Sequence, residues 1–170
     1  MPTSDPANKG WILDKINSVN PSTILDVGAG NGTYGKMISA MLPRTKIDCI
    51  EVWKPYIESF NLKDIYSNVF FGDVREHDNF NYDIVIFGDV LEHMTESDAI
   101  SVWNKTSKQA KYGIISIPIV HSPQGAAGGN PYEIHVEEDW NKERITNSFS
   151  HIVDSKDYRF VGGYFADFKN

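Results

Sequence analysis

The sequence predicts an α/β fold with a doubly wound, mostly parallel sheet, and two observations lead to that prediction. Short β-branched or aromatic runs recur as TILDV, KIDCI, SNVFF, DIVIF and YGIISI, and helix-compatible stretches separate most of them. These runs lack strict apolar and polar alternation, which suits strands covered by helices on both faces. With 170 residues, 41% of them hydrophobic, the chain is long enough for one well-packed domain spanning residues 1–170.

The same patterns place the individual elements. We expect strands near residues 23–27, 46–50, 67–71, 82–87 and 112–117, and helices near 7–19, 33–42, 54–60, 96–110 and 140–149. The runs HIVDS and YRFVGGYFADF in the tail are expected to form an antiparallel hairpin at the sheet edge. Residues 119–139 show no clear period and are expected to form a mobile cover over the active site, with simple disorder as the alternative.

Composition limits the classes of partner and location. Sixteen basic against 23 acidic residues give a net charge of −7, which argues against an extended nucleic acid as partner. The single cysteine, Cys49, cannot form an internal disulfide, which favours a reducing compartment. Because no secretory-signal pattern and no membrane-length apolar run is found, we expect a soluble, cytoplasmic protein.

A glycine-rich loop follows the first predicted strand in the segment ILDVGAGNG, residues 24–32. Open α/β sheets bind ligands beyond the carboxyl ends of their strands, where this loop lies. Gly28, Gly30 and Gly32 let the backbone turn tightly and approach a ligand closely. Asp26, at the strand end, could hold an amino group of that ligand or could be an ordinary turn residue.

Two further acids follow the second and third predicted strands. Glu51 lies twenty-three residues beyond Gly28, close to the spacing at which an acid accepts hydrogen bonds from ribose hydroxyls. Asp73 is placed to accept from an adenine amino group, and Val52 and Val74 could pack on the ring. Acids at successive strand ends therefore indicate an adenosyl cofactor.

These motifs resemble those of the class I S-adenosylmethionine (SAM)-dependent methyltransferases. ILDVGAGNG is similar to their first motif, Glu51 to their ribose-binding acid, Asp73 to their adenine-contacting acid, and YDIVIFGDVLEHM to their fourth motif. The resemblance implies a Rossmann-like sheet of seven strands in the order 3-2-1-4-5-7-6, with the seventh antiparallel, and SAM as the methyl donor. It implies a cofactor site formed by Asp26, Gly28, Ala29, Gly30, Gly32, Glu51, Val52, Asp73, Val74 and Asp89.

Two other interpretations of the glycine loop are weaker. A dinucleotide-binding loop, as in an NAD-dependent oxidoreductase, would carry a small residue where Thr33 stands. The segment GNGTYGKM, residues 30–37, matches the phosphate loop of an ATPase except that Met37 replaces the magnesium-binding hydroxyl. The phosphate-loop interpretation also leaves the acids at the strand ends unexplained.

Candidate reactive residues follow the fourth predicted strand. Asp89, Glu92 and His93 stand at i, i+3 and i+4, which on a helical turn places them on one face. Such a set could bind a divalent metal or form a base with its orienting partner, and His135 could return over the same pocket. We therefore predict His93, Asp89 and His135 as catalytic residues and all four as metal ligands. The alternative is that Glu92 and His93 merely stabilise the turn.

This set is similar to the metal-supporting residues of ubiquinone-pathway O-methyltransferases and of small-RNA 3′-end 2′-O-methyltransferases. Their first acid is commonly Glu, whereas this chain has Asp89, one methylene shorter. The resemblance implies O-methylation of a small-molecule or sugar-like hydroxyl. The alternatives are an RNA-end 2′-O-methyltransferase and a module that binds SAM or S-adenosylhomocysteine (SAH) without turnover. His121 and Tyr132, in the expected cover, could touch the acceptor.

Overall fold

The computed structural model describes residues 5–169, which form six α-helices and seven strands. The helices are α1 (Lys9–Val19), α2 (Thr33–Met41), α3 (Lys54–Ser59), α4 (Leu62–Ile65), α5 (Glu96–Ser107) and α6 (Lys142–Ser148). The strands are β1 (Thr23–Val27), β2 (Lys46–Glu51), β3 (Asn68–Phe71), β4 (Ile84–Gly88), β5 (Tyr112–Pro118), β6 (Ile152–Asp157) and β7 (Val161–Asp167). Short 3₁₀ helices cover Pro6–Asn8, Val74–Glu76, Leu91–His93 and Pro131–Glu133.

The strands form one mixed sheet in the order β3-β2-β1-β4-β5-β7-β6. Strands β1 to β5 pair in parallel, whereas β7 runs antiparallel to both β5 and β6. This arrangement confirms the predicted doubly wound sheet and the strand order that the resemblance implies. The carboxyl ends of β1, β2 and β4 therefore meet at one edge, where ligands of open α/β sheets bind.

Helices cover both faces of this sheet because successive strand residues point to opposite sides. One core cluster joins α1 to α4 to the sheet and includes Ile12, Ile24, Ile38, Ile57 and Ile84. The other joins α5 and α6 to the opposite face and includes Leu25, Val85, Trp103, Ile115 and Ile145. Burial on both faces explains why β1, β2, β4 and β5 read as continuous apolar runs rather than as alternating ones, whereas the edge strand β3 is largely exposed.

Element boundaries agree with the expectations to within a few residues, and side-chain caps set several of them. The helix expected near 96–110 begins after Thr95, whose hydroxyl accepts from the Asp98 backbone N–H at 3.2 Å. The helix expected near 140–149 begins only after Asn141, whose side chain accepts from the Arg144 N–H at 2.9 Å. No helix in residues 5–169 combines the length and apolar character needed to cross a bilayer.

Candidate active site

A cavity of about 550 Å³ opens at the carboxyl edge of the sheet, within the size range of small-molecule and cofactor sites. At one end it is lined by the glycine loop and by Glu51 and Asp73, and at the other by Glu92, His93 and His135. Both groups of sequence-predicted residues therefore share one space.

The glycine loop is fixed to the neighbouring strand β2. The backbone N–H groups of Gly28 and Ala29 donate to the Ile50 carbonyl at 2.9 and 3.3 Å. Gly28 has a φ of +69°, and a Cβ there would lie 2.5 Å from Val90 Cγ2. The turn thus needs glycine both for its backbone conformation and for its close contact with the segment after β4.

Glu51 closes the loop from the end of β2. Its Oε2 accepts from the Gly30 N–H at 3.0 Å and its Oε1 from the Trp53 N–H at 2.8 Å. Gly30 itself has a φ of +52°. Burial raises the pKa of the Glu51 carboxyl, and the backbone donors partly oppose this rise. The hydrogen bond from the glycine loop therefore helps to hold the Glu51 carboxylate at the cavity wall.

Asp73 also lines the cavity, and Val52 and Val74 lie beside it. Its carboxylate caps the short helix Val74–Glu76, accepting from the Arg75 N–H at 2.9 Å, and it binds the Arg75 guanidinium with a shortest N···O distance of 2.5 Å. Arg75 holds the pKa of Asp73 below its ordinary value. An adenine amino group would share this carboxylate with Arg75.

Asp26 lies within the sheet and is not among the residues that line the cavity. The Tyr66 hydroxyl donates to its Oδ2 at 2.5 Å and accepts from the Gly35 N–H at 3.2 Å. Burial raises the pKa of Asp26 to about 7, although Tyr66 and nearby Lys9 oppose the rise. Asp26 therefore lies behind the cavity wall rather than on its surface, and its predicted contact with the cofactor stays a prediction.

Asp89 stands in the wall between the two ends of the cavity and has a left-handed backbone, with φ +56°. The buried Ser116 hydroxyl donates to its Oδ1 at 2.9 Å, and Asn8 Nδ2 donates to Ser116 Oγ at 2.8 Å. A left-handed non-glycine residue is uncommon and points to a conformation that its surroundings impose. The orientation of Asp89 thus depends on residues far away in the chain.

The N-terminal segment supplies Lys9, which the sequence analysis missed. Its buried amine donates to the Tyr34 hydroxyl at 2.9 Å, and burial lowers its pKa while Asp89 and Asp26 oppose this shift. Tyr34 in turn lines the cavity. The available signal was spacing, because Lys9 lies three residues before the buried Ile12 on the same helix face.

At the other end of the cavity, Glu92, His93 and His135 each offer a ligand atom within 4.8 Å of the others. Glu92 is buried, and neither carboxylate oxygen has a hydrogen-bond partner among the described residues. Burial and the nearby Asp89 raise the pKa of Glu92, whereas burial lowers that of His93. A neutral imidazole and a carboxyl without partners are thus brought together.

Carbonyl groups fix the orientation of both imidazole rings. His93 Nδ1 lies 3.1 Å from the Ile134 carbonyl and His135 Nδ1 lies 2.5 Å from the Ser122 carbonyl. Because a carbonyl oxygen can only accept, each Nδ1 carries a proton, and a neutral ring then keeps its lone pair on Nε2. Metal-binding histidines commonly have this backbone contact.

Asp89 lies outside this three-residue group, and the predicted set of four ligands stays a prediction. The prediction assumed one helical turn from Asp89 to His93, but helical structure begins only at Leu91. Asp89 has a left-handed backbone, so no helical turn starts at this residue. Its carboxylate accepts a hydrogen bond from the Ser116 hydroxyl.

Several residues of the segment 119–139, the expected cover, line the cavity. The Tyr56 hydroxyl donates to Glu133 Oε1 at 3.1 Å near the cofactor end. At the other end the N–H groups of Val136 and Glu137 donate to the Glu92 carbonyl at 2.9 and 3.1 Å. The segment therefore contacts both halves of the site, and its mobility stays a prediction.

No family model and no curated protein matches this sequence. Solved structures do match it. A SAM-dependent methyltransferase from Clostridium acetobutylicum superposes with a TM-score of 0.70 at 12% identity, covering 93% of this chain and 89% of that one. Human N-acetylserotonin methyltransferase in complex with SAM gives 0.68 at 12%, covering 95% and 51%, and the N-terminal domain of EvdMO1 with SAH bound gives 0.67 at 13%, covering 97% and 82%. The chain has the class I methyltransferase fold.

This chain spans about half the length of the human protein and of several other O-methyltransferase structures that it matches. At these identities the likeness concerns the fold.

The class I methyltransferase fold disfavours both other interpretations of the glycine loop. Dinucleotide-binding sheets use the order 3-2-1-4-5-6, whereas here the antiparallel β7 follows β5. In a phosphate loop the lysine reaches the phosphates. Here Lys36 Nζ donates to the Asn31 carbonyl at 2.8 Å on the exposed side.

Proposed function

We propose that this chain is a SAM-dependent methyltransferase that methylates a hydroxyl oxygen of a small-molecule acceptor. The observation that carries the proposal is the single cavity, which joins the Glu51-closed glycine loop to the Glu92, His93 and His135 group. One end suits an adenosyl cofactor and the other offers groups that can accept a proton. Structural neighbours described with SAM or SAH support the cofactor assignment.

The cofactor end offers donors and acceptors that suit SAM. The Glu51 carboxylate accepts from the backbone N–H groups of Gly30 and Trp53, and its remaining lone pairs can accept further hydrogen bonds, which we assign to the ribose hydroxyls. Val52 and Val74 provide apolar surface for the adenine ring. The acidic surroundings favour a cationic sulfonium over the neutral thioether of the product.

The reaction requires in-line approach of the acceptor oxygen to the methyl carbon. The new O–C bond forms as the C–S bond breaks, its electron pair stays on sulfur to give SAH, and the hydroxyl proton passes to a base. His93 is suited to take this proton because its lowered pKa keeps the ring neutral near pH 7. We assign supporting roles to His135, which packs against it with ring centroids 4.9 Å apart, and to Asp89.

As an alternative to His93 acting as the base, we also propose that Glu92, His93 and His135 can hold a divalent cation, in which case His93 Nε2 binds the cation and does not take the proton. The residues fit one, since a buried carboxylate with no hydrogen-bond partner among residues 5–169 lies close to two imidazoles whose Nδ1 atoms are held by carbonyls. A cation there would lower the pKa of a bound hydroxyl. Asp89 is left out of this ligand set.

Metal titration tests the three-ligand set directly. We expect chelator-treated protein to bind Co²⁺ with a visible absorption band, and Glu92→Gln and His93→Ala to weaken binding at least about tenfold. Asp89→Asn and His121→Ala are matched controls, since both residues line the cavity outside the group, and both should bind as the wild type does. Loss of binding in Asp89→Asn would restore the four-ligand set, and absence of binding in the wild type would remove the metal.

Calorimetry with SAH tests the cofactor assignment. We expect wild-type protein to bind SAH, and Glu51→Ala and Gly30→Val each to lose at least about tenfold in affinity, because a ribose acceptor or a required left-handed turn is removed. Glu58→Ala, on the exposed side of α3, is the matched control and should bind normally. No binding by the wild type, or equal binding by all variants, would contradict the assignment.

A second measurement separates an enzyme from a module that binds the cofactor without turnover. SAH release is followed with SAM and a panel of phenolic, aliphatic and sugar hydroxyls. Methylation of any acceptor, abolished by His93→Ala with SAH affinity unchanged, supports the enzyme. Unaltered SAH binding without turnover on any acceptor would favour the module.

A further inference from the structure

We infer that the acceptor is uncharged or cationic and has a flat apolar body, such as an aromatic ring that carries the reacting hydroxyl. This inference rests on the proposed function and narrows its acceptor class. It follows from the charge of the cavity wall, from the apolar side chains at its mouth, and from what the polar side chains of the cover already bind.

The cavity wall is strongly acidic. Its carboxyl groups belong to Asp5, Glu51, Asp73, Asp89, Glu92 and Glu133. Among the described lining residues Arg75 is the one lysine or arginine, and its guanidinium is bound by Asp73. Even with Glu92 protonated, the wall carries excess negative charge, which repels an anionic acceptor and tolerates a cationic one.

The mouth of the cavity exposes large apolar side chains. Val120, Tyr132 and Phe160 all line it and remain 39%, 44% and 50% exposed. Apolar groups left in water beside a binding cavity gain free energy when a ligand covers them. Two of the three are aromatic, and such rings pack well against a flat aromatic ligand.

The polar side chains of the cover already hold the cover itself. Gln124 Nε2 donates to the Glu133 carbonyl at 2.7 Å, and Asn130 Oδ1 accepts from the Tyr132 N–H at 2.9 Å. His121 Nδ1 pairs with Asp139 at 2.8 Å. A sugar needs several polar partners for its hydroxyls, and each of these side chains already uses one donor or acceptor within the cover, which reduces the number that a sugar could use.

The wall therefore disfavours two acceptor classes that the sequence left open. A phosphorylated nucleotide or an RNA end needs cations to neutralise its phosphates. A free sugar gains little from the exposed apolar side chains at the mouth and competes with the cover for part of its hydrogen-bonding groups. A neutral or cationic phenol has no phosphate to neutralise and only one hydroxyl to bind, so it suits both the acidic wall and the apolar mouth.

Matched probes test this inference on the protein saturated with SAH, whose binding is measured first. The probes are 4-ethylphenol, tyramine, 4-hydroxyphenylacetate and methyl β-glucoside, and their affinities are measured by ligand-observed NMR up to about 10 mM. We expect ethylphenol and tyramine to bind at least about tenfold more tightly than the phenylacetate and the glucoside. Failure of SAH to bind would overturn the proposed function and this inference together. With SAH bound, equal or tighter binding of the anion or the sugar, or no binding of either favoured phenol, would overturn the inference alone.

A pair of exposed substitutions locates the binding surface. Phe160→Ser should weaken ethylphenol binding at least about threefold because it removes an apolar wall of the mouth. Val153→Ser is the control, since Val153 is 60% exposed on β6 and lies outside the cavity lining. Both changes leave the core intact. Equal affinities in the two variants would contradict the proposed position of the acceptor.

Discussion

The two ends of the cavity are built in different ways. The cofactor end is mainly local, since consecutive residues of one turn, Gly28 to Gly32, meet the neighbouring strand end at Glu51. The acceptor end joins His93 to a loop 41 residues further along the chain, where the Ile134 carbonyl orients its ring. The comparison teaches that the cofactor end depends on backbone conformation and the acceptor end on long-range contacts. Substitutions at the two ends should therefore impair the protein in different ways.

The largest effect is expected from an added methyl group in the glycine loop. Gly28→Ala places a Cβ 2.5 Å from Val90 Cγ2 at a φ of +69°. We expect a loss of about 3 kcal/mol in the free energy of unfolding and at least about hundredfold weaker SAH binding, because strain and a core clash add. Urea denaturation and calorimetry measure the two effects.

Gly125→Ala is the matched change in the cover. A Cβ at Gly125 meets nothing within 4 Å, so stability and SAH affinity should stay within about 0.5 kcal/mol of the wild type. Equal tolerance of alanine at Gly28 and Gly125 would contradict the view that the cofactor end depends on backbone conformation.

A smaller effect, dependent on pH, is expected from the buried carboxyl behind the cofactor end. The pKa of Asp26 is about 7 in the folded chain against an ordinary value of 3.8. Between these values the folded state holds a proton that the unfolded state has released, so this group's contribution to stability falls as pH rises and is lost above about pH 7. The Asp26→Asn variant lacks this titrating carboxyl.

Denaturation at several pH values measures this contribution. From about pH 5 to 7 the wild type should lose about 1 kcal/mol per pH unit relative to Asp26→Asn, and the difference should level off above pH 7. The comparison with Asn cancels the titration of other groups, including Glu51. Parallel stability profiles for the two proteins would show that Asp26 titrates at its ordinary pKa.

Sequence patterns predicted the strands of the sheet well because the apolar runs that mark them are local features of the sequence. Apolar runs between turn residues marked each parallel strand, and in β1, β2, β4 and β5 these runs reflect burial on both faces. The glycine loop could be placed because its residues follow β1 directly, and Glu51 because it ends β2. The strand order itself came from family resemblance, since local patterns do not specify which strands pair.

The remaining site features depend on contacts between distant segments. Asn8 reaches Ser116 across 108 residues, and Ser116 orients Asp89. Helical periodicity places Asp89, Glu92 and His93 on one face, but Asp89 has a left-handed backbone and lies outside the group of ligand atoms that Glu92, His93 and His135 form. Sequence spacing could not reveal this conformation, because the tertiary contacts of Asp89 impose it.

The smallest effect is expected where the cover meets the cofactor end. Tyr56→Phe removes the hydrogen bond to Glu133 Oε1, and the cover keeps its backbone bonds to the Glu92 carbonyl. Loss of one partly exposed hydrogen bond costs about 1 kcal/mol, so SAH should leave about fivefold faster in stopped-flow fluorescence. Tyr158→Phe is the control, since its ring faces Lys156 outside the cavity lining. An SAH release rate equal to that of the control would mean that the hydrogen bond between Tyr56 and Glu133 does not limit the opening of the cover.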